Sequence, residues 1–307
     1  MKLCYALRRG VYFPSQKDNF GEMPDRQHRA KYLKVVKAAG FDGVEVPIGG
    51  ALRGDASDGA AEDFGAELRD AGLPVVCVRG GGPVAHPKEG PTVRARMKAV
   101  VQYAAAVGAS VVNSTIVTPA TLPDGPGAER RGESTSQGAS RYASEADFVE
   151  TARHLRDIGK QCGDLGIKLS IEIHQGSVAD NSWSGLKLLD LIGLENVGVN
   201  PDLGNIFWQF DEPEETNEHA IVALATRSTY WHCKNLKKVY YPQLRKAIFL
   251  RVPLEDGDID YRFAVSAMVA AGYSGYMSIE GANTGDQLSQ DARSAAYARR
   301  LLREATA

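Results

Sequence analysis

The sequence lacks most of the features that would assign it quickly. Its four cysteines, Cys4, Cys77, Cys162 and Cys233, show no CxxC spacing, which excludes a zinc ribbon or dithiol centre. Three of them lie inside apolar runs, where a thiol acts as a small hydrophobe. Neither sign of charge dominates. Lys+Arg 36 against Asp+Glu 38 leaves a formal charge of -2, so there is no basic excess to hold a nucleic-acid backbone. No apolar run reaches membrane-spanning length, and the opening MKLCYALRRGVYF breaks at a charged pair where a signal peptide needs uninterrupted apolar residues. Together these absences predict a reduced, cytoplasmic protein with no nucleic acid and no membrane among its partners. No GxGxxG follows the first strand-like run, and the glycine-rich RGGGPVAHP at 79–87 lacks the lysine and spacing of a phosphate loop. It reads as a tight strand-end turn, with His86 a minor site candidate.

What is present is a rhythm. Eight short apolar or β-branched runs, KLCYALR, DGVEVPI, LPVVCVR, ASVVNSTI, IKLSIEI, VGVNPD, STYWHCKN and GYMSIEG, alternate with segments of helical period. Phe148, Ala152, Leu155 and Cys162 share one helical face, and Ser144 with Asp147 forms a capping pair ahead of them. Glycine recurs where helices should stop, at Gly40, Gly72, Gly108, Gly166 and Gly272, each just before a strand run. Eight βα units predict an α/β fold, a single (β/α)8 TIM barrel over residues 1–307, with an open doubly wound sheet as the alternative. Two connections are too long for simple loops. Residues 117–144 have the Pro, Gly, Ser and Thr composition of a lid. Residues 236–258 mix aromatics with Lys and Arg and read as an insertion that packs on a partner or adds to the core.

Glu172, Asp202, His232 and Glu280 stand at the C-terminal ends of four of these runs, each on the polar face. Side chains two apart on a strand share a face, so they converge wherever the strands are neighbours. Three carboxylates gathered without a cation would cost several kcal/mol per ion; a divalent metal held by oxygen and nitrogen donors removes that objection and suits manganese or zinc better than copper. His174, two residues beyond Glu172, is placed as a general base, or else as a histidine that orients a ligand or bonds a loop carbonyl. Glu45, Arg79 and Lys234 end other strands and are candidates for substrate contact, with a surface residue at the rim as the equal alternative for each. Trp183, Phe207 and Trp208 follow the fifth and sixth strands and can stack on a flat group, with core or oligomer contact as the alternative.

The segments SIEIH, NPDLGN, HCKN and VPLEDGDIDYRFAVSAMVAAGYSGYMSIEG resemble the metal-binding strand ends of the xylose-isomerase-like barrels, the sugar isomerase and epimerase superfamily. The resemblance covers the whole chain and is strongest after residue 165. It implies a divalent metal, commonly manganese with zinc, cobalt or magnesium as alternatives, on Glu172, Asp202, His232 and Glu280, and proton removal beside a sugar carbonyl. Where the ketose 3-epimerase branch usually has His, an acidic residue and Arg, this chain has Asn205, Val178 and Lys238, so substrate contacts differ, Asn205 among them. The strings EIHQGSVADNSWS, NPDLGNIFW, WHCKNL and RVPLEDGDIDY are similar to the large subunit of bacterial C-glycoside deglycosidases. That branch implies a 3-oxo-glucoside substrate, His174 as base (with Glu172 or Glu280 in that role on the epimerase pattern), elimination of an aromatic aglycone, and a small second subunit with oligomerisation. Sugar isomerisation or epimerisation through an enediolate is the alternative function, and a non-catalytic barrel scaffold a third.

Overall fold

The computed structural model describes residues 1–7, 26–47, 59–116, 139–208, 213–241, 243, 246–283 and 285–307. In chain order these form β1 (Lys2–Ala6), α1 (Arg26–Ala38), β2 (Gly43–Pro47), α2 (Ala60–Asp70), β3 (Val75–Gly81), α3 (Gly90–Val107), β4 (Val111–Thr115), α4 (Glu145–Asp164), β5 (Lys168–Glu172), α5 (Ser182–Ile192), β6 (Val197–Asn200), α6 (Leu203–Phe207), α7 (Asn217–Leu224), β7 (Trp231–Cys233), β8 (Asn235–Tyr241), β9 (Lys246–Val252), α8 (Tyr261–Ala270), β10 (Tyr276–Ile279) and α9 (Gln287–Thr306). Eight strands make one parallel sheet in the order β6-β5-β4-β3-β2-β1-β10-β7. Its two edges meet through a single parallel bridge, Val199 to Ser228, and the Thr229 N–H donates to the Val199 carbonyl at 3.0 Å. The result is a nearly closed eight-stranded barrel wrapped by helices, as the alternation of runs predicts.

Local chemistry explains the units. Ser144 and Asp147 form the reciprocal capping box expected of them: the Ser144 hydroxyl accepts from the Asp147 N–H at 3.3 Å, and the Asp147 carboxylate accepts from the Ser144 N–H at 2.8 Å. That start points the apolar face of α4, including Phe148, Leu155 and Cys162, at the strands. Gly108 ends α3 at φ 79, the left-handed conformation that closes a helix without a Cβ penalty. All four cysteines are free and buried.

The barrel interior is layered by strand alternation. Cys4, Cys77, Val111 and Tyr230 fill its lower part as an apolar plug. Glu45, Asn113, Asn200, His232 and Ser278, all buried, come from β2, β4, β6, β7 and β10, Asn113 and His232 standing two residues beyond Val111 and Tyr230 and so on the same face. The polar layer sits towards the strands' C-terminal ends, where barrels of this type carry their chemistry.

The long connection at 236–258 is an antiparallel hairpin, β8 paired with β9 from Asn235↔Val252 to Tyr241↔Lys246. Asn235 ties its base: the amide donates to the Leu254 and Ile259 carbonyls at 2.7 and 3.0 Å, and the amide oxygen accepts from the Ile259 N–H at 3.0 Å. Most of the 117–144 connection lies outside the described residues; its end, Ser140–Tyr142, is a 3-10 turn. Among the described residues no helix is long and apolar enough to cross a membrane.

Candidate metal centre

Four elements of the barrel bring Glu172, Asp202, His232 and Glu280 into one buried cluster. Glu172 ends β5 and His232 is central in β7; Asp202 caps α6 just beyond β6, and Glu280 follows β10. One oxygen each of Glu172 and Glu280 lies 3.5 Å from His232 Nδ1, and an Asp202 oxygen lies at 3.8 Å. Ligand atoms of Glu172, Asp202 and His232 all fall within 4.8 Å of one another. The Nδ1 at their focus is buried and has no hydrogen-bond partner. A buried ring nitrogen left unsatisfied among three carboxylates calls for an explanation, and a cation supplies it. The donor set of three carboxylates and one imidazole therefore fits a divalent metal.

The opposite ring nitrogen fixes the orientation. His232 Nε2 lies 2.7 Å from Glu45 Oε2; a carboxylate there only accepts, so Nε2 carries the proton and Nδ1 is left free to coordinate. Arg79 holds the other Glu45 oxygen at 2.7 Å and stands 3.9 Å from Glu280. The carboxylate oxygens are also tied, including the Glu172 and Asp202 oxygens that face Nδ1. Asn113 and Asn205 donate to Glu172 Oε2 and Oε1 at 2.7 and 2.9 Å. Lys234 Nζ donates to Asp202 and Glu280 at 2.7 and 2.8 Å, and Arg251 of the hairpin stands 3.7 Å from Glu280. The polar layer is cross-linked in turn: Asn200 donates to Asn113 at 3.1 Å and accepts from the His232 N–H at 2.6 Å.

The electrostatics follow from this crowding. Burial alone would lower the His232 pKa, but Glu45, Glu172 and Glu280 outweigh it and hold the ring well above the usual imidazole value. Burial works to raise Glu172 and Glu45; the His232 charge overrides it in both and holds them below the usual carboxylate range, helped by Arg79 at Glu45. Asp202 goes the other way: burial, reinforced by Glu280 and Glu172, exceeds the pull of Lys234 and raises it. A cluster that protonates its histidine and resists ionising one carboxylate is short of positive charge.

Lys234 is buried between two of the carboxylates and is not a rim lysine. Glu45 and Asn205 are both buried, Glu45 beneath His232 and Asn205 against Glu172 and the Ile173 carbonyl. Arg79 keeps some exposure beside Glu45 and Glu280. Trp183 belongs to the outer helical ring, 46 % exposed, with its ring 5.9 Å from Phe148 of α4. Trp208 lies nearer the cluster: the Arg251 guanidinium is 5.4 Å from its ring, and Phe249 of the hairpin is 6.2 Å away. His86 accepts from the Glu89 N–H in the turn before α3. Asn113, Asn200 and Arg251 are not among the sequence candidates for the site. The first two left a trace, as polar residues on the inward face of apolar strands.

His174 lies just past β5, half-buried. Its Nδ1 is 2.7 Å from the Gln175 carbonyl. A carbonyl only accepts, so Nδ1 bears hydrogen and Nε2 is the basic nitrogen of the neutral ring. The loop holding it is itself bonded: His174 N–H donates to the Ala179 carbonyl at 3.0 Å, and the Ser177 hydroxyl to the His174 carbonyl at 2.8 Å.

The sequence of residues 33–305 matches the model of a known family, the Xylose isomerase-like TIM barrel. The chain belongs to that family. Among solved structures it is similar to a xylose isomerase-like TIM barrel protein from Mycobacterium smegmatis in complex with magnesium, at 21 % identity over 100 % of this chain and 98 % of that one, TM-score 0.78. An L-ribulose 3-epimerase matches at 15 % identity over 99 % and 95 %, TM-score 0.72. The 3-keto-D-glucoside 4-epimerase of E. coli matches at 16 % identity over 96 % and 99 %, TM-score 0.66. At these identities the likeness shows the family's fold. No curated protein matches the sequence.

Proposed function

We propose that this family member is a metal-dependent C-glycoside deglycosidase, cleaving 3-oxo-C-glucosides by removal of the C2 proton and elimination of the aglycone. One observation carries the reading: His174, with Nε2 as its basic ring nitrogen, lies two residues beyond Glu172 of a carboxylate cluster built around the open Nδ1 of His232. Glu172, Asp202, His232 and Glu280 would hold the cation, manganese by preference. When bound, the cation draws electron density from the C3 ketone oxygen and the C2 hydroxyl, acidifying the C2 hydrogen.

The protein groups divide the remaining work. His174 Nε2 takes the C2 proton, and the C–H electrons form the C2–C3 enolate. As the ketone re-forms, the electrons pass to a C1–C2 double bond and the bond from C1 to the aglycone carbon breaks. The imidazolium of His174 returns its proton to that carbon, so the products are an enone sugar and the aglycone. Arg79 and Lys234 supply fixed positive charge near the developing oxyanion. Trp208, one guanidinium away from Glu280, offers a flat apolar face for the aglycone.

The alternative is isomerisation or epimerisation of a sugar through an enediolate, with the same first step. Epimerisation by proton return on the opposite face needs a second base. Glu172 is strapped by Asn113 and Asn205, and Glu280 by Lys234, which makes both poor proton acceptors and favours elimination. A small second subunit is part of the proposal: the hairpin leaves Tyr241, Ile248 and Leu250 exposed on one face, an apolar strip for it to cover.

The test is incubation of the purified protein, with and without its second subunit, with a 3-oxo-C-glucoside and manganese in deuterated water. Metal-dependent release of aglycone supports the lyase. Deuterium at C2 or a stereoisomer with the aglycone still attached assigns it to the isomerase branch instead. Neither product, with partner binding intact after metal removal, would leave only the scaffold.

A further inference from the structure

Away from the metal centre, α3 and α4 enclose a cleft of about 750 Å³ on the outside of the barrel. Arg94 and Lys98 line it from α3; Arg153 and Lys160 line it from α4, together with one carboxylate of the same helix, Asp157. Glu150, outside the lining, is engaged by Arg153 at 2.9 and 2.6 Å and by His154 at 2.9 Å. Arg94 spends one N–H on the Val84 carbonyl, and Lys98 and Lys160 make no ion pair among the described residues. Like charges gathered on two packed helices repel one another unless an anion joins them. The chain as a whole is slightly acidic, so this local excess is not a general property of its surface.

A buried group inside the cleft reports the same field. His154 is 7 % exposed and lines the cleft with Ile158. Burial first, then Arg94 and Arg153, hold its pKa below the usual imidazole value, against the opposing pull of Glu150.

We propose that the α3–α4 cleft is a binding site for a small dianionic phosphate, inorganic or carried as a monoester, held between Arg94 and Lys98 on one wall and Lys160 on the other. A phosphate brings roughly -1.5 to -2 charge at neutral pH and several acceptor oxygens, which matches the excess of cations over carboxylates. The volume is within the range of small-molecule sites. The site is independent of the proposed reaction.

The experiment is calorimetric titration of the metal-loaded protein with inorganic phosphate, glycerol phosphate and, as control, chloride at matched ionic strength. We expect saturable phosphate binding that weakens about tenfold in a Lys98→Gln/Lys160→Gln variant, whose metal affinity and melting temperature stay as in the parent. The imidazole signal of His154, assigned by its loss in His154→Gln, should titrate at higher pH when phosphate is present and stay put in the double variant. Tighter binding of the monoester would assign the site to a phosphorylated metabolite; equal binding would assign it to the phosphate group alone. Unsaturable binding, or equal affinity in the double variant, would overturn the proposal.

Discussion

Glu45 shows how much of this site rests on a residue behind the metal ligands. Its carboxylate fixes the His232 tautomer, and Arg79 keeps it ionised. Glu45→Gln keeps the shape but can turn an N–H towards Nε2, which invites the tautomer with hydrogen on Nδ1. Metal affinity should fall about 10–100-fold, read by competition against a chromophoric chelator, while the fold is retained. Unchanged affinity would mean that the ring is oriented from elsewhere. His174→Ala argues the opposite separation. It should lose about 10²–10⁴-fold in turnover and keep metal affinity, because its ring is tied to Gln175 and not to the cluster. Asp180 carries the pH dependence. Its buried carboxylate accepts from the Ser140 hydroxyl at 2.6 Å, joining the 3-10 turn to the loop that bears His174. Burial raises its pKa from 3.8 to about 6, with Glu214 adding to the rise and the Ser140 bonds opposing it. A carboxyl whose folded pKa is raised binds its proton more tightly in the folded state. Its contribution is therefore fully present below the unfolded pKa and is lost as pH rises through about 6, a swing of roughly 3 kcal/mol. In Asp180→Asn that swing should vanish, so the variant gains on the parent between the two pKa values, 3.8 and about 6, in urea melts; parallel curves would show that Asp180 ionises freely.

At the scale of elements, legibility followed periodicity. Every strand of the barrel was readable because a short apolar run ends at a turn, and the glycines before five of them mark where a helix must stop. The hairpin was not readable as such, because KKVYYPQLRKAIFL alternates only loosely and its pairing follows from Asn235 at the base, whose partners lie 19 and 24 residues away. The same limit applied inside the site. Strand ends name which side chains face inward, but which donor meets which oxygen depends on partners as distant as Glu45 and His232, 187 residues apart. Glu45, Asn205 and Lys234 thus looked alike as inward polar residues, and the sequence held no means of telling a buried strut from a substrate contact. The seam between β6 and β7 is a further feature that only packing reveals. A Cβ on Gly198 would stand 2.5 Å from both the Arg227 carbonyl and the Thr229 side chain, so glycine there lets the two edges approach. Gly198→Ala should cost about 1–3 kcal/mol and speed hydrogen exchange at Thr229, whose N–H bridges to Val199; exchange as slow as in the parent would show that the seam absorbs the methyl.

The whole molecule has to carry Glu45, Glu172, Asp202 and Glu280 together at one end of its barrel, and this makes its stability depend on what fills the site. Arg79, Lys234 and Arg251 balance the cluster in part, and a protonated His232 completes the balance only by occupying the nitrogen a metal would use. Removing the cation should therefore leave a folded but strained barrel, since the fold's remaining stability comes from the apolar plug and the strand–helix interface, which the metal does not touch. Metal at about 100 times its dissociation constant would add about 2.7 kcal/mol, a rise of roughly 4–8 °C in melting temperature over chelator-treated protein. A Glu172→Gln/Glu280→Gln variant separates this from a general salt effect. With two charges fewer in the cluster, it should lose the metal response and, in chelator, melt at or above the parent, because the repulsion it relieves is no longer offset by a bound ion. A variant that instead melts well below the parent in chelator would mean that Lys234 and Arg251 depend on those carboxylates more than the carboxylates repel one another, and would identify the cluster as a salt-bridge core rather than a site held open for a metal.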